Sequence, residues 1–230
     1  DQDIVYVDAI GGEASLDFYA TSKVQAHVIT DLGDWAEVTS PAEFDGDGTA
    51  SVSFSRNRSY RRMVAVKLVL EDKGLEDTLY FRQRGLTPEL SCDAPYSIVD
   101  GSKDAKVGMT LNTNINRSDL NIDVTYLDDE QGWIEGLAFS GDIAWDTDDF
   151  AFITKASAST RSSRATVRVW FDDSWGEDVS VTLYLTRTAK NGVIGSPVTL
   201  QDIRTRTEPF AADEFMEGYV ISDYRSTNMA

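Results

Sequence analysis

Hydrophobic and polar residues alternate one by one along most of the chain, the period of a half-buried strand. The runs SLDFYA (15–20), KVQAHVI (23–29), TASVSFS (49–55), RMVAVKLVL (62–70) and DTLYFRQR (77–84) each read as strands. Each is closed off by Gly, Asp, Ser or Pro, the residues that turn a chain. In KVQAHVI the alternation puts Val24, Ala26 and Val28 on the inward face and Gln25, His27 and Ile29 on the outward one. No stretch shows a convincing helical period. Short strands with turn signals at this spacing predict an all-β chain built as β-sandwiches.

The pattern of the first half returns in the second. DFAFITKASASTRSSRATVRVWF parallels TASVSFSRNRSYRRMVAVKLVL, and DVSVTLYLTRT parallels DTLYFRQRG. Trp35 and Trp133 stand about 100 positions apart, as do Arg62 and Arg164, which open the long strands. A period of that length means two tandem copies of one sandwich, because solenoid repeats are far shorter. The expected domains are residues 1–86, 87–206 and a tail, 207–230, read as a linker and the start of a truncated further domain. The join RGLTPEL (84–90) holds Gly85 and Pro88, and a connection so short favours an end-to-end rod. Trp35 and Trp133 recur at one place in the repeat with Val38 and Leu137 as companions, so both are expected to be core anchors.

Composition narrows the partners. Asp and Glu total 39 against 21 Lys and Arg, a net charge of −18. Such a chain repels nucleic acid and anionic membranes. The one cysteine, Cys92, rules out an internal disulfide. No apolar run approaches the roughly 20 residues of a membrane-spanning helix. The opening DQDIVYVD, without methionine, reads as a trimmed or processed chain.

Several features occur together in one order in the first copy. They are Trp35, the turn VTSP (38–41), GDGTASVSFS (46–55), Asn57, Arg61 or Arg62, and a last strand closing FRQRG at Gly85. In this order the chain resembles the Bacteroidetes-associated, carbohydrate-binding, often N-terminal (BACON) family. The second copy keeps GWI (132–134), Arg161, Arg164 and ATVRVWF, but ends YLTRTAKNG without the family's Gln-x-Gly. The resemblance implies immunoglobulin-like sandwiches in an exported module, outer-membrane surface lipoprotein or periplasmic, beside glycan-utilisation machinery. It also implies further domains in the same chain and a polysaccharide or host glycan as partner.

Catalytic chemistry is hard to assemble from these residues. His27 is the one histidine and sits on an outward strand face, and Cys92 has no histidine near it in sequence. No nucleophile elbow, phosphate loop or CxxC is present. No cofactor is therefore expected, and a monomer is. The acidic loops DGDGT, with Asp45 and Asp47, and DIAWDTDDF, with Asp146 and Asp148, have the oxygens calcium uses. Ordinary turn chemistry explains them as well, and Gly46 and Gly48 fit a turn.

Aromatic residues are the better lead, since a flat exposed ring stacks on a sugar's C–H face. In RATVRVWF, Ala165, Val167, Val169 and Phe171 alternate inward, leaving Arg168 and Trp170 outward. In DVSVTLYLT, Tyr184 is outward. If these strands pair across DDSWGE, one outer face carries Trp170, Arg168 and Tyr184, with Trp175 at the tip. That face is the candidate carbohydrate site. Packing at a domain junction is the competing reading of Trp170.

Overall fold

The computed structural model describes residues 3–70, 72–144, 147–192, 196–197, 204–205 and 214–215. The first eight strands are β1 (Asp3–Val7), β2 (Gly12–Phe18), β3 (Val24–Val28), β4 (Ala36–Val38), β5 (Glu43–Phe44), β6 (Gly48–Phe54), β7 (Arg62–Leu70) and β8 (Leu75–Gln83). They form two sheets, β1-β8-β7-β3-β5 and β2-β6-β4. β1 joins β8 in parallel, while β7 and β8 form an antiparallel hairpin. Between the sheets lies a core in which Val24, Val52, Val64, Leu79 and Phe81 are fully buried. Each such side chain contributes about 1.5–3 kcal/mol by leaving water.

The next eight are β9 (Leu90–Ser91), β10 (Tyr96–Val99), β11 (Ala105–Thr113), β12 (Asn121–Tyr126), β13 (Ile134–Ala144), β14 (Thr147–Thr154), β15 (Ser163–Asp172) and β16 (Asp178–Arg187). They too form two sheets, β10-β16-β15-β12 and β13-β14-β11-β9. This is the strand order of an immunoglobulin sandwich, with an extra strand laid parallel to the last one. Leu111, Phe152, Val167, Val169, Leu183 and Leu185 fill its core. Two short strands, β17 (Ser196–Pro197) and β18 (Glu214–Phe215), pair in parallel. The rest of the expected tail domain lies outside the described residues. The all-β, doubly immunoglobulin-like architecture read from the alternation is therefore the architecture of the protein.

Two compact units divide the contacts. The first holds Asp1–Leu90, Thr113–Asn121 and Trp170–Ser180, and the second holds the remainder.

The internal repeat is visible in matched backbone hydrogen bonds. Ser55 N–H donates to Trp35 O at 2.9 Å, and Lys155 N–H to Trp133 O at 2.8 Å. Asn57 donates to Ala9 O and Ser157 to Gly101 O, both at 2.7 Å. Arg84 donates to Val7 O and Thr188 to Val99 O, and Leu86 to Ser59 O as Lys190 to Ser159 O. These pairs fix residue-by-residue equivalences that sequence alignment only approximates.

They also revise one sequence equivalence. Arg164 is exposed and paired with Asp128, so it does not repeat the role of Arg62. The guanidinium of Arg62 lies 4.4 Å from the Trp35 ring centre, and its Nε donates to Gln83 Oε1 at 2.7 Å. In the second sandwich Arg187, at the place of Gln83, lies 4.8 Å from the Trp133 ring centre. It donates to Lys155 O and Ser163 Oγ and pairs with Glu130. The arginine has changed strands, and the tryptophan keeps its cation.

Two sidedness expectations also shift. Val28, placed inward by alternation, is 39% exposed at the end of β3. Trp133 is buried, but Trp35 is half-buried at the core margin, because it precedes the short edge strand β4 and packs under Arg62.

Candidate functional site

The outer face of β10 and β16 presents the most exposed aromatic pair of the second unit's described ladder. β10 alternates, burying Val99 and turning Tyr96 and Ile98 outward at 73% and 66% exposure. The parallel register sets Tyr96 directly opposite Tyr184. Their rings stack with centres 5.0 Å apart and planes 16° from parallel. Tyr96 and Ser97 also line a cleft of about 310 Å³, with Cys92, Asp93, Met109 and Asn112 among its walls. A flat ring beside carboxylate, hydroxyl and amide groups is the composition of a shallow sugar subsite.

Of the residues read from sequence, Tyr184 is therefore exposed and part of an aromatic surface. Arg168 is exposed on β15, in the same unit. Trp170 is half-buried, and its indole N–H donates to Asp172 Oδ1 at 3.2 Å. Trp170 and Trp175 both belong to the first compact unit. The structure does not place Trp175 beside Tyr184. Its N–H donates to Arg62 O at 3.0 Å, its ring meets Tyr6 edge-on at 5.7 Å, and the guanidinium groups of Arg61 and Arg82 lie 4.8 and 5.4 Å from it. A ring so occupied is spent on packing.

That packing has a charged anchor. Arg61 is 7% exposed and donates through Nε and Nη2 to the two carboxylate oxygens of Asp173, each at 2.9 Å. Its Nη2 also meets Glu177. Burial pulls the Arg61 pKa down, but the two carboxylates outweigh it and hold the group above its ordinary value. Sequence reasoning missed Tyr96, Ile98 and the Arg61–Asp173 pair. The first two lie on a four-residue strand too short to show its period, and the pair joins positions far apart in the chain.

Asp47 Oδ1 accepts the Ala20 N–H at 2.8 Å, so it serves the turn at DGDGT. Gly46 has φ of 141°, a turn requirement, whereas Gly48 makes room for rings: a Cβ there would fall 2.5 Å from Phe44 and 2.7 Å from Phe18. Asp45 sits in the same loop. Asp148 lies on β14, and Asp146 and Trp145 lie outside the described residues. Among the described residues no three His, Cys, Asp or Glu side chains converge as a metal site. His27 is exposed on β3 opposite Lys67, and Cys92 is a half-buried free thiol.

No protein-family model matches the chain and no curated protein resembles it in sequence. Solved structures give distant likenesses. A chimeric titin Z1Z2–Z1Z2 tandem is 12% identical with a TM-score of 0.39, over 81% of this chain and 95% of that one. A Bacteroides ovatus GH5 xyloglucanase is 11% identical with a TM-score of 0.31, over 43% of this chain. An endo-fucoidan hydrolase of glycoside hydrolase family 107 is 11% identical with a TM-score of 0.28, over 82% of this chain. The chain spans only 20% and 28% of the lengths of those two hydrolases.

Proposed function

We propose that the chain is a non-enzymatic accessory module, BACON-like and exported, that spaces or presents a further domain and makes weak glycan contacts of its own. The observation that carries the glycan part is the exposed Tyr96–Tyr184 stack beside a polar cleft. One face of the Tyr96 ring is covered by Tyr184, and its high exposure leaves the rest open to a pyranose. Asp93, Ser97 and Asn112 are the hydroxyl partners. Trp175 is left out of this surface because its ring and N–H are engaged elsewhere. The acidic charge supports a neutral or cationic partner over nucleic acid. A surface or periplasmic location and a monomeric state belong to the same reading.

The test is affinity gel electrophoresis against a panel of neutral plant and host polysaccharides. Retention of the wild type and its loss in Tyr96→Ala and Tyr184→Ala, with unchanged circular dichroism, is the expected result. Weak retention rests on few contacts, so the loss of one stacking ring is expected to abolish it. A wild type that no polysaccharide retards would end the glycan part. The competing adhesion reading, contact with host protein, predicts a pull-down insensitive to free sugar.

A further inference from the structure

Two short runs gather arginine in the first unit. RNRSYRR (56–62) precedes and opens β7, and RQRG (82–85) closes β8. Gly85 lets the two meet, since a Cβ there would fall 2.6 Å from Ser59 O and 2.8 Å from the Arg61 nitrogen. Asn57 Nδ2 then donates to Tyr60 O at 2.8 Å and to Arg84 O at 3.0 Å, and Arg61 N–H donates to Leu86 O at 3.0 Å. These bonds pin Arg61 and Arg84 on either side of one opening.

That opening is a cleft of about 280 Å³ lined by Tyr6, Arg61, Arg84, Gly85, Thr87 and Trp175, all in the first unit. None of its lining residues is acidic, in a chain where acids outnumber bases 39 to 21. Arg61 is only 7% exposed. Its Nε and Nη2 are taken by Asp173 and Glu177, whereas Nη1 makes no hydrogen bond among the described residues. Nη1 is not sealed in, unlike the partnerless Nε of Arg82. At the rim Arg84 is exposed, and its guanidinium has no hydrogen bond or ion pair among the described residues. Tyr6 is 54% exposed and meets Trp175 edge-on. Trp175 is a fixed wall: Arg82 Nη2 donates to its carbonyl at 3.1 Å, and its own N–H goes to Arg62 O.

We propose that this cleft is a second glycan subsite, selective for a sugar residue that bears one acidic group, carboxylate or sulfate. The acid's oxygens take the Arg84 guanidinium and Arg61 Nη1, because arginine's planar fork matches such groups. The open Tyr6 ring takes the C–H face of the pyranose, and the Thr87 hydroxyl takes a sugar hydroxyl. The volume lies at the low end of the roughly 300–1,000 Å³ of small-molecule pockets, which suits a single ring. The net charge of −18 repels a long polyanion, but that field is screened over about 8 Å at physiological ionic strength. A lone acidic sugar on an otherwise neutral glycan therefore reaches the arginines. The inference rests on the glycan-contact reading and uses residues distinct from Tyr96 and Tyr184, in the other unit.

The test titrates the isotopically labelled 230-residue chain with methyl glucuronoside, methyl glucoside 6-sulfate and neutral methyl glucoside. Amide shifts centred on Tyr6, Gly85 and Thr87 are expected with the acidic sugars, and binding of one acid over the other names the group that is read. Methyl glucoside should bind at least about tenfold more weakly. Arg84→Gln should weaken the acidic sugars by a similar factor, and unchanged spectra away from the cleft verify its fold. Tyr6→Leu should weaken the acidic sugars but not inorganic sulfate, which has no ring to stack. Absence of shifts at these residues, equal binding of methyl glucoside, or indifference to Arg84→Gln would overturn the proposal. So would inorganic sulfate binding as tightly as the acidic sugars, which would leave only an anion site. Polysaccharide retention without acidic-sugar shifts removes this cleft alone, and acidic-sugar shifts without retention remove the Tyr96–Tyr184 contact alone.

Discussion

A single buried guanidinium anchors the second sandwich. Arg187 is 3% exposed, and burial pulls its pKa below the ordinary arginine value while Glu130 opposes that pull. The Trp133 ring, two backbone carbonyls, Ser163 Oγ and Glu130 surround it. Removing the guanidinium costs about 3–5 kcal/mol, because Lys155 O, Ala156 O and Ser163 Oγ each lose a charged hydrogen bond worth roughly 1.5–3 kcal/mol and Glu130 loses its cation. Arg187→Ala should lower the stability of the second sandwich by that amount, read from urea unfolding followed by Trp133 fluorescence. Gln83→Ala, the matched change in the first copy, removes no charge: it loses the hydrogen bond donated to Ser55 O and the one accepted from the Arg62 guanidinium, and should cost about 1–3 kcal/mol. Equal costs would mean that charge is not what separates the two sites.

Among the elements, β5 depends closely on its surroundings. It is two residues long and pairs with β3 through Gln25↔Glu43 and Val24↔Phe44. Hydrogen bonds from the Lys23 and Gln25 side chains hold the Glu43 carboxyl below the ordinary glutamate pKa. A depressed carboxyl pKa adds stability that is complete above the unfolded value and disappears as pH falls through the folded one. The amides of β5 should therefore exchange faster with deuterium as pH drops through the acid range, after correction for intrinsic rates. Glu43→Gln should flatten that dependence, and an unchanged pH profile would count against the linkage. This strand was invisible to alternation, since two residues have no period. The long strands were legible because RMVAVKLVL and ATVRVWF each span several full periods. β8 was found two residues late because its opening, Leu75–Asp77, is exposed on both faces. The inward and outward assignments of Arg168, Val169 and Tyr184 followed from period alone, whereas the partnership of Tyr184 with Tyr96 needed the parallel register of β10.

Across the whole molecule, two sandwiches share one frame of backbone hydrogen bonds and differ in how they supply a cation to their tryptophan. Tandem copies of one fold carry a hazard during synthesis, because a strand can insert into the wrong copy. Here the arginine's change of strand marks the two closing strands as chemically different. If β16 took the place of β8, Arg187 would meet Arg62 over Trp35, where the first copy's closing strand supplies the neutral Gln83. If β8 took the place of β16, Gln83 would leave Glu130 without its cation. Either exchange leaves a charge without its partner, which raises the miswired chain above the correct one in free energy. Arg187→Gln combined with Glu130→Gln erases the mark while keeping polar groups in place. Dilute refolding of that double variant, followed by size-exclusion chromatography, should yield more strand-exchanged dimer than the parent chain, and an equal yield would show that the copies are kept apart by something else.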